Sequence, residues 1–316
     1  MKPLMGVSII LAGLVLLGGG LLSSYHQSLM TTALIWAIFA ASVNLLVGYA
    51  GLVPLGHACF FGLSAYVIGI LSLKAGLQGI GVFALGVFSS GVLAALFGLF
   101  VLRVRGVYFM LISLAMAELV WGLAFKWRSL TGGDDGLPGL SRPTLPVLGP
   151  VLEDPTVFYY CVLFFFVVAI FAMYRLVRSP VGCALVGTRE NELRMKVLGY
   201  SVWSYQYVAY IAAGLMAGLA GGLQVYHVQF VSPGDLNAVA SAKVLLMAIL
   251  GGSATFVGPI IGAFVVVLLE NLVSGWMERW VMVLGIIYIF VVMVTPAGLM
   301  GEIVRWSRKG GKHGSA

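Results

Sequence analysis

From Gly79 to Leu102 the chain carries no charged side chain, and similar apolar runs recur at Leu29–Val47, Tyr108–Phe125, Val157–Tyr174 and Ser204–Tyr226. Each is close to the ~20 apolar residues that a helix needs to cross a bilayer. Together they define the fold class: an all-α, polytopic integral membrane protein. With 61% hydrophobic and only 9% charged residues, the chain lies far from the one quarter charged that is typical of soluble domains. Met5–Leu22 is read as an uncleaved first span. Val239–Leu250, Ile260–Leu272 and Trp280–Val294 complete the set, giving about ten transmembrane helices in a single transmembrane domain, 1–316.

Two of the apolar stretches are interrupted. Gly48, Gly51, Pro54 and Gly56 break the sequence between Leu29 and Leu73, and Gly251, Gly252, Gly258 and Pro259 break it again later. An unpaired backbone group in hydrocarbon costs several kcal/mol, so breaks at membrane depth are tolerated where protein or a watery cavity surrounds them. In transporters such broken or re-entrant segments often mark the substrate route. The alternative is that the glycines only let helices approach closely, as the Gly214, Gly218, Gly221 and Gly222 face of Ser204–Tyr226 also would.

Formal net charge is +7, with 18 Lys and Arg against 11 Asp and Glu. In a soluble chain that excess would suggest nucleic acid, but here the basic residues sit in short links, where they are retained on the cytoplasmic side. Placing the polar segment 178–199 inside brings Lys2, Arg103, Arg105 and the basic tail 305–316 inside as well. The near-neutral loop 126–156 then lies outside, for an N-in, C-in topology. Trp127, Trp203, Trp276, Trp280 and Trp306 fall at span ends, where amphipathic rings prefer the headgroup layer.

Ionisable groups inside spans suggest function by default. Glu118 lies about eleven residues into its span, roughly 16 Å deep at 1.5 Å per residue, and Lys243 enters from the opposite side, so an ion pair between them is one expectation and a substrate contact another. His57 reads as a helix-packing histidine rather than a proton relay, and Asn44 and Asn271 as residues bonding across helices. The sequence holds no GxxxxGK(S/T), HExxH, CxxC or GxSxG pattern, so neither ATP hydrolysis by that route nor enzymatic chemistry is expected. Cys59, Cys161 and Cys183 are scattered, as are the four histidines; no metal and no cofactor is expected.

Four stretches resemble the permease subunits of bacterial ABC importers for branched-chain amino acids, of the LivM type: Asn44–Gly69, Leu102–Val120, Leu130–Leu137, and Ser179–Gly199 continuing through Phe230–Pro233 to Leu250–Gly252. The resemblance implies a subunit in the bacterial inner membrane, in contact with membrane lipid, that pairs with a second, homologous permease. It further implies two ATP-binding subunits docked inside and a periplasmic substrate-binding protein, with no role for nucleic acid. The family's coupling helix maps onto Ser179–Gly199, so Arg178, Ser179, Pro180, Gly182, Arg189, Glu190, Asn191, Glu192, Arg194 and Gly199 are the candidate docking residues. Asn44, the two sets of glycines and prolines, His57, Glu118 and Lys243 are the candidate pathway residues. Thr188, Asn191 and Glu192 suit a helix start there, and Leu193, Val197 and Leu198 an apolar docking edge. Cys183 stands where the family usually has a basic residue, so a docking contact is either missing or supplied by Arg178 or Arg189. The same fold also serves ureas, amides, aromatic acids and sugars, and a membrane scaffold is the reading from another class.

Overall fold

The structure is a computed structural model and describes residues 23–143, 153–253 and 255–275, with 282, 285–286 and 298–301. The expected spans Met5–Leu22 and Trp280–Val294, Lys2, and the basic tail lie outside the described residues. Helices α1 (Ser24–Asn44), α2 (Ala58–Leu73), α3 (Ile80–Val101), α4 (Val107–Lys126), α5 (Pro155–Arg178), α6 (Pro180–Glu190), α7 (Glu192–Val197), α8 (Val202–Val228), α9 (Ala238–Gly251) and α10 (Gly258–Ser274) follow in order. Five of the described helices are long and apolar enough to cross a membrane, counting α1 with its π-helical extension Leu45–Ala50. The all-α class is therefore as read from the sequence, with span limits shifted by a few residues.

Helix α1 is the most enclosed of the five and α4 the least. Around α1 pack α5, α8, α9 and α10. Lipid tails are as apolar as leucine, so helices within a bilayer associate through close packing and hydrogen bonds rather than hydrophobic drive. The glycine face of α8 shows this. A Cβ on Gly221 would strike the Phe61 carbonyl oxygen, while Gly214 and Gly218 lie against Ala94 and Ser90 of α3. Ser90 Oγ in turn donates to the Phe60 carbonyl at 2.6 Å. Phe39 stacks on Phe61 with ring centroids 4.7 Å apart.

The connections sort into two ends. At one end, Leu137–Pro138 (β1) pairs antiparallel with Phe230–Val231 (β2), Leu137 opposite Val231. Lys74 there reaches the Ser129 carbonyl, and Tyr25 donates to Asn271 Oδ1 at 2.8 Å. At the other end the α3–α4 link meets the segment between α5 and α8 through an Arg105–Glu192 ion pair. Within the loop 126–156 the described residues form a helical turn, Arg128–Thr131, and the two-residue strand Leu137–Pro138.

Candidate functional site

At the second end the two helix breaks and the 178–199 segment converge. The last turn of α1 widens into the π-helix Leu45–Ala50 and stops at Gly51, whose φ of 71° is a left-handed conformation natural to glycine. Single π turns inside helices recur at functional positions because they re-aim the backbone. Gly48 lies against the Ser253 carbonyl oxygen of the second break, where a Cβ would collide. Asn44 Nδ2 donates to the Thr255 carbonyl at 3.1 Å. Gly251 and Gly258 pack backbone on backbone, closing the α9–α10 turn. Thr255 Oγ1 bridges that turn, donating to the Gly252 carbonyl at 2.9 Å and accepting from the Gly258 amide at 3.0 Å.

The extended stretch after Gly51 is held from other helices. Its Leu55 amide donates to Ser113 Oγ of α4 at 3.1 Å, and the Ala58 amide to Ser241 Oγ of α9 at 2.9 Å. These hydroxyls supply partners to amides that have none at a helix start. Gly56 fits under the Ser113 carbonyl only because it lacks a Cβ. Fully buried His57 meets Ser42 Oγ at 3.0 Å and stacks on Phe39. Pro54 is buried, and Pro259 takes the early α10 position where a missing amide does no harm.

The 178–199 segment is two helices, not one. Ser179 caps α6 and Pro180 occupies its first turn, while Gly182 slides beneath the Val177 carbonyl, where a side chain would collide. Asn191 then breaks the chain and caps α7, its Oδ1 accepting from the Arg194 amide at 2.9 Å. Thr188 does not join that helix start. It is buried in α6 with its hydroxyl on the Ala184 carbonyl, because the residue at the kink, Asn191, takes the cap. Glu192 pairs with Lys196 at 2.9 Å as well as with Arg105. Glu190, Arg194 and Gly199 are exposed, as are Cys183, Leu193, Val197 and Leu198. Arg178 lies over the Tyr174 ring at 4.6 Å. Arg189 extends to the break, its guanidinium donating to the Gly48 carbonyl oxygen and its stem lying beside Gly51.

Two candidate pathway residues fall elsewhere. The Glu118–Lys243 pair does not form. Glu118 is exposed on the outer flank of α4, whereas Lys243 Nζ pairs with Glu270 of α10 at 2.7 Å and lies 4.1 Å from the Trp36 ring centroid. Depth along a helix is readable from residue count, but the face a residue occupies is not. Glu270 and Trp36 went unremarked in the sequence, although Glu270 is an ionisable group inside an apolar run, the same signal that singled out Lys243.

Five described helices of membrane length, with the break that ends the most enclosed of them held by the charged 178–199 segment, make a polytopic membrane protein. Over residues 25–293 the sequence matches the family model described as branched-chain amino acid transport system / permease component, and the chain belongs to that family. It is 30% identical over 291 residues to the high-affinity branched-chain amino acid transport system permease protein LivM of Salmonella typhimurium, covering 85% of this chain and 68% of the relative. The LivM protein of Escherichia coli is likewise 30% identical, over 295 residues and with the same coverage. The probable branched-chain amino acid transport permease protein LivH of Methanocaldococcus jannaschii is 26% identical over 143 residues, covering 42% of this chain and 44% of that one. No solved structure matches the chain.

Proposed function

We propose that this chain is the membrane permease subunit of an ATP-driven importer that carries branched-chain or related small amino acids into the cytoplasm. It works in the bacterial inner membrane as one domain of about ten spans, with both termini inside and loop 126–156 outside. A second permease subunit, two ATP-binding subunits and a periplasmic binding protein complete the assembly. The observation that carries the coupling step is the contact of Arg189 with the Gly48 carbonyl. Residues 178–199, with Leu193, Val197 and Leu198 exposed beside Arg194, form the face on which the ATP-binding subunits act. Their closure displaces α6 and α7, and with them the attached ends of α5 and α8. Through Arg189 the same displacement reaches the end of α1, and through Asn44 the second break, so access switches by rigid movement around the broken helices.

Reconstitution of the chain with its partner subunits in proteoliposomes tests this. Leucine uptake is expected only with ATP and the binding protein present; uptake by the isolated chain that ignores ATP depletion overturns it. A reporter active only in the periplasm, fused at Asp135, is expected to be active, and a silent fusion inverts the topology.

A further inference from the structure

At the end remote from Arg189, α1 and α10 part to leave an open cleft of about 320 Å³, lined by Tyr25, Ser28, Leu29, Thr32, Val267, Glu270, Asn271 and Ser274. Glu270 lies one turn before the end of α10 at Ser274, roughly 6 Å along the axis. An ionised side chain at such a place is expensive unless it is partnered or lines a watery cavity. Glu270 does both. Its Oε2 holds Lys243 at 2.7 Å, while Glu270 also lines the cleft. Lys243 is held a second time, by the face of Trp36, an attraction that strengthens as water is excluded. The carboxylate can therefore turn toward an incoming cation without leaving the ammonium bare.

We propose that this cleft binds a small zwitterionic amino acid with an aliphatic side chain, its ammonium on Glu270 and its side chain on Leu29 and Val267. The inference rests on the importer reading above and adds where the solute sits. Lys243 balances Glu270, and the other lining groups are hydroxyl, amide and apolar side chains, with the His227 imidazole behind the Ser28 and Thr32 hydroxyls, so the cleft carries no formal net charge. That suits a zwitterion better than a free cation or anion. Its volume is at the lower end of the ~300–1,000 Å³ of small-molecule pockets, a size for a single amino acid rather than a peptide. Leu29 and Val267 give the otherwise polar lining an apolar wall.

Equilibrium binding of radiolabelled leucine and alanine to the purified complex, without binding protein, tests the site, and ATP-driven uptake by the same preparation is measured alongside. Glu270→Gln is expected to weaken leucine binding about tenfold. Leu29→Phe, which narrows the cleft from a half-buried position, is expected to lower the leucine-to-alanine binding ratio about tenfold. If the Lys243–Glu270 pair is structural only, the double variant Lys243→Met with Glu270→Met regains native leucine binding, and that result overturns the proposal. So does an unchanged leucine-to-alanine ratio in Leu29→Phe, or native complex that transports leucine but binds none at millimolar concentration. Native complex with no ATP-driven uptake at all overturns the importer reading itself.

Discussion

The two helix breaks face the same physical problem, freed backbone groups at membrane depth, and meet it differently. The first, from Gly48 to His57, is supported by side chains from distant elements: Arg189 of α6, Ser113 of α4 and Ser241 of α9. The second, from Gly251 to Pro259, is closed by its own backbone, with Gly251 against the Gly258 carbonyl and Thr255 bridging the turn. A junction held by many elements can transmit movement from any of them. A junction held by packing against itself moves as a unit or not at all. On the proposed coupling route the first break is therefore the receiving point and the second a rigid corner.

The comparison is broken most directly at the corner. Gly251→Val places a branched side chain where the Gly258 carbonyl and the Gly262 amide already lie. Overpacking without room to relax costs about 3 kcal/mol, the upper end of the usual range, when the obstacle is backbone, so the melting temperature of the purified protein is expected to fall by about 6–12 °C. A protein that melts near the native value would show that the corner is pliable. Arg189→Ala should act mainly on function: melting falls only modestly, by about 2–4 °C, as the Gly48 carbonyl loses its donor, while uptake by the assembled importer is reduced about tenfold, some 1.4 kcal/mol. Retained uptake would remove Arg189 from the coupling route.

Removing the hydroxyls that hold the first break gives a smaller effect on stability. Ser241→Ala leaves the buried Ala58 amide without its acceptor, an unsatisfied group that costs about 1–3 kcal/mol. Ser113→Ala strips the part-buried Leu55 amide in the same way and should cost less, since water can reach that site more easily. Thermal melting of the two variants orders them, and equal losses would mean that the two hydroxyls are replaced by other donors and acceptors.

The spans were legible because lipid imposes a length, and the sequence keeps charges out of it from Gly79 to Leu102 and again from Pro155 to Tyr174. The convergence of basic links was legible too: Arg105 and the 178–199 segment, assigned to one side by charge alone, meet through Glu192. Asn44 and Asn271 do bond to other segments, Asn44 to the Thr255 carbonyl and Asn271 to Tyr25. What stayed hidden was azimuth and register. Glu118 and Lys243 were matched in depth, yet they project from faces that never meet. The π turn at Leu45–Ala50 has no composition of its own, and strands of two residues such as Leu137–Pro138 are too short to show the period-two alternation of a sheet. The reach of Arg189 to Gly48 spans 141 residues of sequence and depends on how α6 docks beneath α1, which no local pattern records.

The smallest expected effect separates local from remote support at the corner. Thr255→Val keeps the shape of the side chain but removes both bonds of its hydroxyl, to the Gly252 carbonyl and from the Gly258 amide, while the backbone carbonyl that accepts from Asn44 is untouched. This hydroxyl accepts from the first amide of α10, and losing such a hydrogen bond costs about 1 kcal/mol, or about 2–4 °C in melting temperature. Uptake should stay within about twofold of native, because the Arg189–Gly48–Asn44 connection does not pass through the hydroxyl. If Thr255→Val instead lowered uptake as far as Arg189→Ala, the bridge across the corner would belong to the moving parts, and the distinction between a receiving junction and a rigid corner would collapse.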